Sequence, residues 1–213
     1  MRRKNISAQR LAILLCKQEG LSYKTVKDLT EKLLSMYAIG QSQAVKGARL
    51  RKYMTIQEEK QGVRRRYIEI ITGKRKFTEE EYEDFILDVV TSNWFKEKAD
   101  MILDEIERQV DGVVSADESE EGMDMEGKQI KKILRESYLL GKNNIKSDKT
   151  IYTEMCISRA TFFRRRDAGE VIFGMLMWNY AKRREYEDII AGRVEGSDDE
   201  EYMALISRPA FLY

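Results

Sequence analysis

Residues 156–166 read Cys-Ile-Ser-Arg-Ala-Thr-Phe-Phe-Arg-Arg-Arg. Guanidinium groups match the O6 and N7 acceptors of guanine, and also phosphate oxygens, in a planar, bidentate way that lysine cannot copy. Ser158 is a good helix N-cap, with Ile157 and Phe162 at the two positions of a hydrophobic staple. At about 100° per residue, and with Phe162 turned toward a core, Gly169 and Phe173 fall within about 20° of it and Arg166 within about 40°. Arg159, Phe163, Arg164 and Asp167 turn to the flank or the opposite side. One helix thus buries aromatic residues and presents arginines from its first two turns. Those are the turns by which the second helix of a helix-turn-helix reaches base edges.

The elements that must hold this helix lie just before it. Ile130, Ile133, Leu134 and Tyr138 mark a first helix that ends near Gly141, and Asn143-Asn144 begins a polar turn. Ser147 or Asp148 then caps a short helix through Ile151, Tyr152 and Met155. Helix, turn, short helix, turn and capped helix is the spacing of a helix-turn-helix. An ordinary amphipathic helix with a solvated arginine face is the plainer alternative. Val171 to Trp178 (VIFGMLMW) is too apolar for a surface helix and reads as core, with a protein-contact surface as its rival.

Other chemistries are poorly supplied. The chain of 213 residues has no histidine, which removes Ser-His-Asp and Cys-His catalysis and His-ligated metal sites. Cys16 and Cys156 alone build neither a zinc site nor a disulfide framework, and read as reduced thiols of a cytoplasmic protein. There is no phosphate-binding glycine loop followed by lysine and no dinucleotide fingerprint. Asp84, Asp88, Asp100, Asp104, Glu105 and Glu107 form a solvated helix face rather than a metal site. The expectation is a non-catalytic protein without metal or cofactor. No run approaches the roughly 18 apolar residues of a membrane span, and Leu11 to Cys16 is too short for a signal sequence.

A single proline, Pro209, stands where average usage gives about ten, which favours long helices and an all-α fold. A formal net charge of +1 hides four blocks. Residues 1–76 hold 19 Lys/Arg against 6 Asp/Glu, 77–127 hold 3 against 18, 128–184 hold 14 against 5, and 185–213 hold 2 against 8. Such asymmetry suggests basic surfaces for a polyanion, unless the blocks neutralise one another in the fold. Residues 1–110 read as a helical N-terminal domain. In it, Ser22 caps a helix through Val26, Leu29, Leu33 and Tyr37, and Ala44 to Met54 is a basic helix candidate. Tyr67 to Thr72 fits helix or strand, and Thr78 with Glu81 forms a capping box for a helix that runs about 30 residues or breaks near Ser92. Arg64-Arg65-Arg66 reads equally as a solvated or acid-paired face and as a phosphate contact. Residues 111–127 form an acidic linker and 128–186 the helix-turn-helix domain. Residues 187–213 are an acidic linker and apolar tail that folds back, swaps to a partner chain or docks on another protein.

At Ile157, Ser158, Arg159, Thr161, Phe162 and Arg164 the sequence resembles the ArpU family of phage transcriptional regulators and, more distantly, region 4 of bacterial sigma factors. The resemblance is best over about residues 128–175. Ala160 replaces a serine of the pattern, and Cys156 stands where glycine or asparagine is common. The resemblance implies a sequence-specific DNA-binding regulator of phage or mobile-element genes. On that reading Arg159, Thr161, Phe163 and Arg164 enter the major groove of double-stranded DNA, while Lys146, Lys149, Arg165 and Arg166 take phosphates. RNA polymerase and a second copy of the chain are further candidate partners. The rival readings are a phage terminase small subunit and an adaptor that binds only protein, such as a polymerase-binding or anti-sigma factor.

Overall fold

The computed structural model describes residues 7–40, 56–73, 78–112, 125–140 and 144–208. Among them 83% are helical and none is in a strand, so the fold is all-α. The helices are α1 (Ala8–Glu19), α2 (Tyr23–Gly40), α3 (Ile56–Thr72), α4 (Glu79–Thr91), α5 (Asn93–Asp111), α6 (Glu126–Leu134), α7 (Asp148–Glu154), α8 (Arg159–Ile190) and α9 (Glu200–Ser207). A π-helical turn, Arg135–Leu139, continues α6.

Local chemistry explains where several helices start. Ser22 accepts from the Thr25 N–H at the head of α2. At α4 the capping box is complete: Glu81 N–H donates to the Thr78 hydroxyl while the Glu81 carboxylate accepts from Thr78 N–H. The run from Thr78 to Val110 breaks at Ser92, whose extended backbone ends α4 and whose hydroxyl accepts from Phe95 N–H to begin α5. Tyr67 to Thr72 is helical, as the last turns of α3. The basic segment 44–54 and Lys74 to Lys76 lie outside the described residues.

The organising element is α8, 32 residues long and in contact with α1, α2, α3, α5, α6, α7 and α9. Every residue from Ala168 to Asn179 is buried, so this stretch, apolar apart from Glu170 and Asn179, is surrounded on all sides. Two glycines permit the closest approaches. A Cβ at Gly169 would lie 2.6 Å from Ile130 Cγ2 on α6, and one at Gly174 would collide with the Thr30 hydroxyl on α2. The Gly174 carbonyl also accepts from the Tyr67 hydroxyl at 3.0 Å. Trp94 and Phe95 fill the space between α5 and α8, with Phe95 packed on Phe173.

One hydrophobic cluster runs from Ala8 on α1 to Ile206 on α9. The expected boundary at 111–127 therefore does not separate two cores. Residues 113–124 lie outside the described ones, but the ends that flank them meet. The Asp111 carboxylate accepts from Gly127 N–H at 2.6 Å and Lys128 N–H at 2.9 Å, capping the first turn of α6. Glu126 in turn accepts from Ala8 N–H at the start of α1. The C-terminal segment folds back through α9, with Tyr202 and Ile206 buried; residues 209–213 are outside the described ones.

The charge blocks neutralise one another in part. Lys182, wholly buried, holds Glu19 at 2.7 Å, and Arg64 on α3 holds Glu185 and Asp188 on α8 at 3.1 and 3.0 Å. Among the described residues no helix is long and apolar enough to cross a membrane.

Candidate nucleic-acid interface

The helices α6, α7 and the first turns of α8 meet around a core of their own. Ile133, Ile151 and Phe162 supply one wholly buried side chain each, ringed by Tyr152, Met155, Ile157 and Phe163. Phe162 lies edge-on to both Tyr152 and Phe163, with centroids 5.9 and 5.3 Å apart. This small cluster is distinct from the main core, and it sets the angular phase of the first turns of α8.

The connection between α7 and α8 is a Schellman turn. Ile157 N–H donates to the Tyr152 carbonyl and Cys156 N–H to the Thr153 carbonyl, both at 3.1 Å. Cys156 takes the left-handed position with φ of 52°, the only non-glycine residue among the described ones to do so. Glycine fills that position at no steric cost, which is why the cysteine stood out in the sequence. Ser147 caps α7 by accepting from Thr150 N–H, and Ser158 caps α8 by accepting from Thr161 N–H.

The residues expected to face DNA divide into two groups. Arg159 and Arg164 are exposed, and neither has an acidic partner among the described residues. Arg159 lies over the Phe163 ring at 5.5 Å. Phe163 is half-buried against Phe162, and Thr161 is half-buried with its hydroxyl 2.9 Å from Ser158 Oγ. Lys149 is exposed at the start of α7 and also unpaired. The other residues expected on phosphates have protein partners. Arg165 bonds Gln129 and lies near Glu126. Arg166 pairs with Asp148 at 2.9 Å and approaches Glu170 at 3.6 Å, stacked over Phe163 at 4.8 Å. Lys146 bridges Glu136 and Glu154 at 3.4 and 2.6 Å.

Glu170 anchors this end of α8 to the body. Its carboxyl is fully buried, accepts from the Tyr138 hydroxyl at 2.7 Å and lies 4.0 Å from Lys27 on α2. Burial is the main cause that pushes its pKa up to about 7, and the Tyr138 hydroxyl, buried beside it, is raised above its ordinary value.

A charge inventory of residues 128–167 is one-sided. Its four acids, Glu136, Asp148, Glu154 and Asp167, each meet a cation, the last through Lys27 at 3.4 Å. Six exposed cations remain without an acidic partner among the described residues: Lys128, Lys132, Arg135, Lys149, Arg159 and Arg164. The first three were not singled out from the sequence. Their signal is the spacing i, i+4, i+7, which places them on one stripe of α6 opposite Ile130, Ile133 and Leu134. They line an open cleft of about 640 Å³ whose other walls include Glu107 on α5 and Glu154 and Met155 at the end of α7.

No group of three or more cysteines and carboxylates among the described residues is arranged to hold a metal ion. The chain matches no known family model, no curated protein and no solved structure.

Proposed function

We propose that this protein binds double-stranded DNA through the N-terminal turns of α8 and regulates transcription, without catalysis. The observation that carries the reading is the fate of charge around α8. Every acid between residues 128 and 167 is taken up by a cation, whereas Arg159 and Arg164 reach solvent unpaired from the first two turns of a capped helix. Arg159, Ala160, Phe163 and Arg164 form an outward stripe about 140° wide at 100° per residue. Unpaired guanidinium groups on such a stripe suit guanine edges and phosphates. The residues behind them are held by packing and by ion pairs, so the stripe is presented on a rigid support. Rigid support is what precise readout requires.

In this reading Arg159 and Arg164 read bases, with Phe163 and Thr161 at the groove wall. Lys149 meets phosphate, while Arg165, Arg166 and Lys146 brace the module rather than contact DNA. The test is fluorescence anisotropy with a random duplex across a range of salt, wild type beside Arg159→Ala/Arg164→Ala. Binding that weakens steeply with salt and is reduced in the variant supports the reading. No binding by wild type at low salt overturns it and turns attention to protein partners of the same arginine face.

A further inference from the structure

The cleft between α5, α6 and α7 carries three cations that the fold leaves uncompensated, while its carboxylates Glu107, Glu136 and Glu154 are taken up by Lys131 and Lys146. Lys128 and Lys132 on α6 and Arg135, the first residue of the π-helical turn that continues it, share one stripe and are exposed. Lys131, on the neighbouring face, is held by Asp104 at 2.8 Å and Glu107 at 2.6 Å on α5. Pairing is therefore selective. The fold uses one lysine to fasten α6 to α5 and leaves the adjacent three free. Neighbouring like charges on a helix are mutually unfavourable, so the stripe is stabilised by whatever anion covers it.

The stripe also has a definite length and place. From Lys128 to Arg135 the helix rises about 10.5 Å, whereas one strand of a duplex advances about 3.4 Å per phosphate. Because the strand winds about the axis, neighbouring phosphates lie further apart than this rise, and the row is long enough to meet about two to three of them. The far wall of the cleft, Glu154 and Met155, is the end of α7 that leads directly into the turn before Arg159. The wall of the cleft opposite the basic stripe thus lies four to five residues before Arg159 in the chain.

We infer that Lys128, Lys132 and Arg135 form a second phosphate track, which holds the sugar-phosphate backbone of the same duplex that α8 reads. This inference rests on the DNA-binding reading above and extends its footprint from one helix to two. The track is blind to sequence, because it meets only the backbone. It divides the work: α6 supplies affinity and α8 supplies discrimination.

The experiment compares three full-length proteins on a random duplex and on a duplex selected by wild type, across a range of salt. They are wild type, Lys128→Gln/Lys132→Gln/Arg135→Gln, and a charge-matched control, Lys17→Gln/Lys96→Gln/Arg183→Gln. The control removes exposed cations from α1, α5 and the C-terminal half of α8. The expected result is a log–log salt slope shallower by about 2 to 3 in the α6 variant on both duplexes. Its ratio of selected to random affinity should stay unchanged, and the control should behave as wild type. Equal slopes for the α6 variant and the control would overturn the track while leaving the α8 reading intact. No binding by wild type on either duplex would overturn both. Circular dichroism and urea midpoints of the variants check that these exposed substitutions leave the fold unchanged.

Discussion

The chain carries three consecutive arginines twice, at 64–66 and at 164–166. In the first set, Arg64 is buried and holds Glu185 and Asp188, Arg65 holds Glu185 at 2.6 Å, and Arg66 reaches Asp88 at 2.7 Å. All three are engaged with the protein. In the second set, Arg165 and Arg166 are engaged in the same way, but Arg164 reaches solvent with no acidic partner among the described residues. Both sets lie on helices, so helix phase turns at least one arginine of each away from the core. What differs is the supply of acids across the contact. The carboxylates Glu185 and Asp188 face α3 from the C-terminal part of α8, and Asp88 faces it from α4. Among the described residues nothing comparable faces the outer side of the first turns of α8. A basic tripeptide is thus a fastener or a binding surface according to what the tertiary structure places opposite it.

The comparison is most easily broken at Arg64. Removing it takes one buried partner from Glu185 and Asp188, which keep Arg65 at 2.6 Å and Arg193 at 2.8 Å, so Arg64→Ala should lower the unfolding free energy by about 2–3 kcal/mol. Urea denaturation measures this, and a loss below about 1 kcal/mol would mean the first triplet is not a fastener. Arg164→Ala is the counterpart. Its stability should change by no more than about 0.5 kcal/mol, while specific duplex binding should weaken by about 1–3 kcal/mol in an anisotropy titration. A stability loss as large as that of Arg64→Ala would erase the distinction between the two sets.

The second triplet can be sharpened through the partner of Arg166. Glu170 has a folded pKa of about 7 against an ordinary value of 4.5, raised first by burial. The folded protein therefore binds a proton that the unfolded chain releases. The associated stability is complete below about pH 4.5 and is lost as pH rises through about 7. Glu170→Gln should reduce the fall in unfolding free energy between pH 5 and pH 8 by roughly 1–3 kcal/mol. An identical pH dependence in the variant would place the titration elsewhere.

The smallest effect concerns the turn that sets the phase of Arg164. Cys156 adopts a left-handed backbone that disfavours a Cβ, and its side chain is exposed. Cys156→Gly should raise the thermal midpoint modestly, corresponding to about 0.5–1 kcal/mol. A lower midpoint would show that the cysteine side chain contributes packing that outweighs its backbone cost.

Much of the local structure was legible in the sequence, because it is written in short-range chemistry. Ser147, Ser158 and Thr78 cap helices at the positions their spacing implies, and Phe162 lies toward the core. The apolar run Val171 to Trp178 is core. The alternative near Ser92 was resolved by a local hydroxyl cap, and that at Tyr67 to Thr72 by contacts beyond any local window. Tyr67 is buried among α3, α5 and α8, and a helix there satisfies its own backbone.

The site was half legible. Arg159 and Arg164 could be placed on an outward face from helical phase alone. That Arg165, Arg166 and Lys146 turn inward to Gln129, Asp148, Glu136 and Glu154 could not be, since those partners lie 8 to 36 residues away in sequence. The stripe of Lys128, Lys132 and Arg135 was present in the spacing but hidden by the many other lysines and arginines of its block.

By itself the sequence determined the all-α class, the helix starts and the face each helix buries, because capping bonds and apolar periodicity act within a few residues. Only the tertiary structure decided that α8 is the shared rod of one core and not the end of a separate domain. It alone also decided which cations meet carboxylates and which remain for a partner. Charge pairing depends on distances between helices far apart in the chain, and composition cannot encode such distances.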